Sequence, residues 1–261
     1  MSVDGIALIV ERLTLRFGGL TAVDDISFEV REGEVVSLIG PNGAGKTSAF
    51  NAITGYIEPA SGEIRYRGVR LTGLKPNAIA AHGVVRTFQK TSIFAGQTVH
   101  DNVAMGLHLH SRQGTLAILA GLPSVAREEA QLAREVGDIL RFVGLKSRTD
   151  TVAAALPYGE LRLLEVAVAL AAKPTLLLLD EPVSGMNPVE TASFMKLLGE
   201  IRARGITVLL VEHDMKMVMG VSDRIVCLNQ GRIIASGTPA DIQGHPEVVR
   251  AYLGTKYGAK T

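Results

Sequence analysis

Residues 40–47 read GPNGAGKT: a glycine, four residues, a second glycine, then lysine and threonine. That spacing suits a phosphate chain. Gly43 and Gly45 permit backbone conformations that turn successive N–H groups inward, Lys46 reaches the β- and γ-phosphates, and the Thr47 hydroxyl ligates a magnesium ion. Far downstream, the apolar run 176–179 delivers two adjacent carboxylates, Asp180 and Glu181. One carboxylate at such a strand end holds Mg²⁺ through a water, and the next faces the γ-phosphate as general base. About one helix upstream of that run lies a glycine-bearing turn, LPYGE at 156–160. Taken alone, the two acids also read as caps of a helix after Pro182. His108 and His110 suggest a metal pair only weakly in chemical terms: their spacing does not share a helix face, and no third ligand accompanies them.

Those residues need particular elements beneath them. Residues 35–39, 176–179 and 208–211 are continuous apolar runs that enter Gly40, Asp180 and Glu212. Strands apolar on both faces belong in a covered parallel sheet with helices between them. The helix that begins near Lys46 adds about half a positive charge at its N-terminus, where phosphates bind. Residues 7–17 and 23–30 mix alternating and β-branched positions and are broken at Gly18-Gly19 and Arg31-Glu32-Gly33, which predicts an antiparallel, partly exposed sheet. Residues 225–228 and 232–235, joined through Asn229-Gln230-Gly231, predict a hairpin.

Between Gln89 and Leu170 strand signals give way to helical periodicity. It is plainest over 125–143, where Arg127, Glu128, Glu129, Arg134 and Glu135 take polar faces. Residues 106–123 follow no clear period and read as an excursion. The expected class is therefore α/β: a P-loop NTPase core with a mainly parallel sheet, an N-terminal antiparallel β subdomain and an inserted α-helical subdomain. One domain spans 1–261, with its core at 1–88 and 166–261 and the insertion at 89–165.

Composition narrows the partners. The chain has 261 residues, 47% of them hydrophobic, enough for a full core. Its 27 basic and 26 acidic residues nearly cancel, so phosphate affinity must be local and nothing favours nucleic acid. The lone cysteine, Cys227, excludes an internal disulfide, fits a reducing compartment and reads as a core residue within IVCL. No secretory pattern is visible, and no apolar run approaches the roughly 20 residues that span a bilayer. Any membrane spans must come from other subunits.

The motifs GPNGAGKT, RTFQK, LPYGE, LLLLDEP, SGMNP and VEHD stand in the order of an ABC-transporter ATPase subunit, and the chain resembles that family over nearly its whole length. In that family two nucleotide-binding domains meet head to tail, each ATP lying between one phosphate loop and the other domain's signature turn. The resemblance implies ATP and Mg²⁺ as cofactors. It implies contacts to nucleotide from Gly40, Pro41, Asn42, Gly43, Ala44, Gly45, Lys46, Thr47 and Ser48. It also implies that Phe17 stacks on adenine, that Gln89 senses the γ-phosphate, touches the metal and links to the membrane subunits, and that His213 contacts the γ-phosphate. Residues 184–187 would cross the dimer interface. From the residues alone, Phe17 reads equally as a core aromatic, Gln89 as a surface amide and His213 as a helix-start residue.

The signature turn departs from the family's usual LSGGQ. Pro157 stands where a serine commonly offers a hydroxyl, Tyr158 replaces the first glycine, and Glu160 replaces glutamine. Gly159 remains, and the helix starting near it still presents N–H groups and a positive dipole end to a partner's ATP. Proline in a first turn costs little, because its missing N–H would be unpaired. Glu160 opposes closure on a triphosphate unless Arg162 or a neighbour offsets its charge.

The tyrosine-containing signature, MNPVET and the excursion resemble the ATP-binding subunit of branched-chain amino-acid importers; relatives that move urea or other amides, or lipopolysaccharide, share the framework. The partners implied are a second ABC ATPase, identical or different, and permease subunits, at the cytoplasmic face of the inner membrane. A soluble regulatory ABC protein with weak hydrolysis is the competing reading.

Overall fold

The structure, a computed structural model, describes residues 5–87, 93–108 and 123–253. Gln89, His110, residues 109–122 of the excursion and the last residues, 254–261, lie outside it. The described residues divide into two compact units, one within Met1–Arg86, Thr175–Ser184 and Thr191–Thr261, the other within Thr87–Pro174 and Gly185–Glu190.

The first unit holds two sheets. Strands β1 (Ile6–Phe17), β2 (Leu20–Arg31), β4 (Ser61–Tyr66) and β5 (Val69–Arg70) form an antiparallel sheet in the order β2-β1-β4-β5. The second sheet orders β10 (Arg232–Gly237), β9 (Arg224–Asn229), β3 (Val35–Ile39), β8 (Thr207–Val211), β7 (Leu176–Asp180) and β6 (Val84–Arg86). It is parallel except for the β9–β10 hairpin. Strands β3, β7 and β8 are buried at every residue, which explains why their sequences run apolar without alternation. Gln230 and Gly231 both take positive φ, the geometry that a tight hairpin turn requires. One apolar core joins residues of both sheets, from Leu8 and Val10 to Leu178 and Val226. Cys227 is buried in β9, as its sequence context predicts, and burial pushes its thiol up to about 11.

Helices α1 (Lys46–Ile53), α2 (Pro76–Ala81), α7 (Met215–Val221), α8 (Pro239–Gln243) and α9 (Pro246–Leu253) complete this unit with most of α6 (Pro188–Ala203). The second unit is helical, built on α3 (Val99–His108), α4 (Pro123–Phe142) and α5 (Tyr158–Ala171). Helix α5 runs unbroken across residues 165 and 166, the expected division between insertion and core. Among the described residues no helix is long and apolar enough to cross a membrane. None of their His, Cys, Asp or Glu residues gather in threes as metal ligands.

Candidate nucleotide site

The phosphate loop hangs between β3 and α1. Gly40 has φ +148°, and a Cβ there would sit 2.1 Å from the Leu228 carbonyl oxygen; at Gly45, φ +102°, it would sit 2.5 Å from that of Ala22. Only glycine fits either position. Pro41, Asn42 and Gly43 form a turn closed by the Ala44 N–H on the Pro41 carbonyl at 3.1 Å. Gly45 precedes α1 without a side-chain cap, so the first N–H groups of the helix are open to an anionic ligand. Lys46 is buried, and its Nζ donates to the carbonyls of Gly40 (2.7 Å) and Pro41 (3.0 Å). Burial draws its ammonium below the ordinary lysine value, opposed by the charges of Glu181 and Asp180. Thr47 is exposed and Ser48 half-buried on the same turn.

Asp180 ends β7 beside Val211 of β8 and is buried. Its Oδ2 accepts from Arg86 Nη2 at 2.6 Å, while Oδ1 is buried with no hydrogen-bond partner among the described residues. An oxygen left without a donor, on a hard ligand beside an exposed Thr47 helix start, fits a magnesium ion held through water. Glu181 takes φ +47°, a left-handed conformation rare for a non-glycine residue, with its N–H on the Val211 carbonyl at 2.8 Å. Such strain gathers where the fold must aim a side chain. His213 Nδ1 lies 3.8 Å from Glu181 Oε1, and both side chains reach solvent.

Three alternatives open in the sequence close here. Asp180 and Glu181 do not cap the next helix: α6 begins at Pro188, and Asn187 Oδ1 accepts from the N–H groups of Val189 and Glu190. His213 is not the helix start either, since Asp214 caps α7 by accepting from the Met217 N–H at 3.0 Å. Phe17 stands 45% exposed at the β1–β2 turn, so it is no core aromatic. Gln89 lies outside the described residues.

The signature turn is built differently. Pro157, extended at φ −56° and ψ 153°, precedes α5 without a side-chain cap. Tyr158 lies beneath Arg162, whose guanidinium stands 5.1 Å from the ring centre and donates to the phenol oxygen at 2.6 Å. The ring also fills the space beside Gly185, where a Cβ would meet it at 2.8 Å. Gly159 is buried against Glu190, whose Oε1 would lie 2.8 Å from a Cβ. Glu190 is itself held, because its Oε2 accepts from the Asn187 N–H at 2.8 Å. The charge of Glu160 is offset by Arg148, in two bonds of 2.8 and 3.1 Å, and not by Arg162, which pairs with Glu165 at 2.8 Å.

Sequence reasoning passed over Arg86, Arg148, Glu190 and Glu212. Glu212 is fully buried and accepts from the N–H groups of Val183 (3.0 Å), His213 (3.0 Å) and Asp214 (3.4 Å), tying the segment after Glu181 to the one that carries His213. Burial raises its carboxyl above the ordinary value, against those donors. Glu190 was legible as the last residue of an Asn-x-x-Glu capping box. A charge closing an apolar strand was the available signal for Arg86; Arg148 had none.

A family model described as ABC transporter matches residues 23–184, and one described as branched-chain amino acid ATP-binding cassette transporter matches residues 232–257. The chain is 45% identical over 248 residues to the high-affinity branched-chain amino acid transport ATP-binding protein LivG of Salmonella typhimurium, covering 95% of this chain and 97% of that one. It is 44% identical, with the same coverage, to the corresponding protein BraF of Pseudomonas aeruginosa. Among solved structures it is similar to a nucleotide-free ATP-binding cassette from an ABC transporter, with a TM-score of 0.84 at 30% identity over 95% of this chain and 99% of that one. A cassette in its ADP conformation matches with a TM-score of 0.83 at 30% identity and the same coverage. One continuous match takes in the phosphate loop, the signature turn and the paired carboxylates, with relatives alike over nearly the full length: the chain belongs to the ABC transporter family and is one of its ATP-binding cassettes, an ATPase.

Proposed function

We propose that this chain hydrolyses ATP to energise a membrane importer of branched-chain amino acids. The observation that carries the reading is the set of Lys46, Asp180, Glu181 and His213 on adjoining strand ends, in a chain 45% identical to a relative named for that transport. Lys46 neutralises the phosphates, and the open N–H groups of α1 receive them. Glu181, aimed by its strained backbone, takes a proton from the attacking water, and His213 stands beside it to hold the γ-phosphate oxygens. Phe17 stacks on adenine, and Gln89 reads the γ-phosphate. Thr47, Gln89 and Asp180 would hold Mg²⁺, which would supply positive charge to offset the phosphates.

The second half of each site comes from a partner ATPase, to which Tyr158, Gly159 and Glu160 present the start of α5, with Pro157 ahead of them. Permease subunits supply the membrane spans, so the chain works peripherally at the cytoplasmic face of the cell membrane. One domain over 1–261 carries both halves, with a helical insertion at 89–165 bearing the signature. Pairing with a different ATPase would make the two sites unequal, the weaker being the one this signature completes. The weak-hydrolysis regulatory reading rests on Pro157 and Glu160; the Arg148 pair offsets the charge of Glu160 and leaves the hydroxyl missing at Pro157 as its remaining support.

The test is reconstitution in proteoliposomes with the two permease subunits, the second ATPase and a binding protein. ATP-dependent leucine uptake, lost in Glu181→Gln, is expected. Uptake of an amide but of no branched-chain amino acid would overturn the solute, and ATP turnover without any uptake would overturn the transport role.

A further inference from the structure

Arg86 closes β6 and is buried, yet the nucleotide chemistry above makes no use of it. Its Nη2 donates to Asp180 Oδ2 at 2.6 Å, and Nη1 donates to Asn51 Oδ1 at 2.5 Å, on the same helix as Lys46. Its Cζ stands 5.6 Å from the centre of the Phe50 ring. The two charged side chains are 8% and 1% exposed. A carboxylate so far out of water must be neutralised by something fixed in place. Lys46 lies within electrostatic reach, but its hydrogen bonds go to the carbonyls of Gly40 and Pro41. The guanidinium, clamped by Asn51 on one arm and Phe50 on its face, is therefore the group that meets the carboxylate directly.

A fixed positive charge in contact with Asp180 has a second effect. It opposes the arrival of another cation, and its removal raises the affinity of the pocket for one. We propose that Arg86 is a positioning residue and the resident counter-cation of Asp180. It engages Oδ2, leaves the unpartnered Oδ1 for the magnesium shell, and keeps the pocket from collecting divalent ions before the nucleotide brings its own negative charge. The proposal rests on the reading of Asp180 as the magnesium carboxylate.

Manganese is the probe, with free and bound Mn²⁺ read by electron paramagnetic resonance on the full chain without nucleotide. Wild type should bind Mn²⁺ weakly, Arg86→Met about tenfold or more tightly, and Arg86→Met with Asp180→Asn at the wild-type level again. Equal affinity in wild type and Arg86→Met overturns the proposal, as does a gain that survives Asp180→Asn. Should Arg86→Met fail to fold, the double variant decides: recovered folding supports the counter-charge, whereas failure of both assigns Arg86 to packing on Phe50 and overturns it. The underlying metal reading is tested apart, by whether Mg²⁺ still strengthens ATP binding in Asp180→Asn. If it does, that reading falls whatever Arg86 does.

Discussion

The phosphate-loop half of the site and the signature half hold their charges by opposite means. Around the phosphate loop, Lys46, Arg86, Asp180 and Glu212 are buried, and backbone or a partner fixes each of them. At the signature turn the charge that offsets Glu160 is itself near water: Tyr158 is 48% exposed, and both members of the Arg148–Glu160 pair are partly exposed. Buried charges are stiff, and disturbing one leaves its neighbour stranded in a poor solvent. Exposed pairs are screened and replaceable. The frame behind Glu181 and His213 is thus rigid, although those two side chains themselves reach solvent, whereas the signature turn is tuned by small terms. Substitutions should then have large effects in the first half and small, salt-dependent ones in the second.

The largest effect belongs to Glu181. Glu181→Gln keeps the shape and the strained backbone but loses the base, so ATP turnover in the assembled transporter should fall about 10²- to 10⁴-fold with ATP binding retained. Turnover within a few-fold of wild type would remove the chemistry from the rigid half and dissolve the contrast. Next comes Glu212→Gln, which turns an amide NH₂ toward backbone donors and should destabilise the fold by about 1–3 kcal/mol. The carboxyl of Glu212 is raised in the folded chain from an ordinary value of 4.5. The folded state therefore binds that proton more tightly, and the stabilisation is complete below about pH 4.5 and is lost as pH rises through the folded value. Glu165, also raised, is present in both proteins and cancels in their difference. Chemical denaturation at several pH values should show the deficit of the variant shrinking as pH rises; a constant deficit would refute the buried-charge account.

The same contrast decides what was legible in the sequence. Rigid chemistry leaves local signals: GPNGAGKT is contiguous, and runs buried on both faces announced β3, β7 and β8 together with the acids at their ends. Glycine positions 40 and 45 also follow from the loop itself. What escaped is non-local. Arg86 meets Asp180 across a gap of 94 residues, and Arg148 meets Glu160 from a separate turn, so no spacing rule links either pair. Arg162 is the basic residue nearest to Glu160 in the sequence, but two residues apart they do not share a helix face, and Tyr158 and Glu165 hold Arg162. Phe17 shows the converse: its residue type is ambiguous, and only its exposure separates a core ring from an open one.

At the boundary between the two regimes stands Gly159. A methyl group there would meet the Glu190 carboxylate, which cannot retreat without giving up its bond from the Asn187 N–H. Gly159→Ala should lower stability by about 0.5–2 kcal/mol, the range of a lost cap. In a Glu190→Ala background the same change should be close to neutral. A thermal-unfolding cycle measures the coupling, and additive effects would show that Glu190 does not fix this turn.

The smallest effect is expected at Arg148. Its pair with Glu160 is exposed, so Arg148→Ala should change stability by less than about 1 kcal/mol. Its consequence should appear in turnover, because on the proposed head-to-tail pairing the freed Glu160 charge would face the partner's triphosphate. A fall of about two- to fivefold at low salt is the scale of an exposed ion pair. Two further measurements identify the cause. The deficit should fade as ionic strength rises past about 0.15 M, where charges more than about 8 Å apart are screened. It should also vanish in a Glu160→Gln background, where no charge remains to offset. A salt-independent loss, or one of equal size with Glu160→Gln, would mean that Arg148 acts by holding the turn in shape, and the signature half would then be as rigid as the half that performs the chemistry.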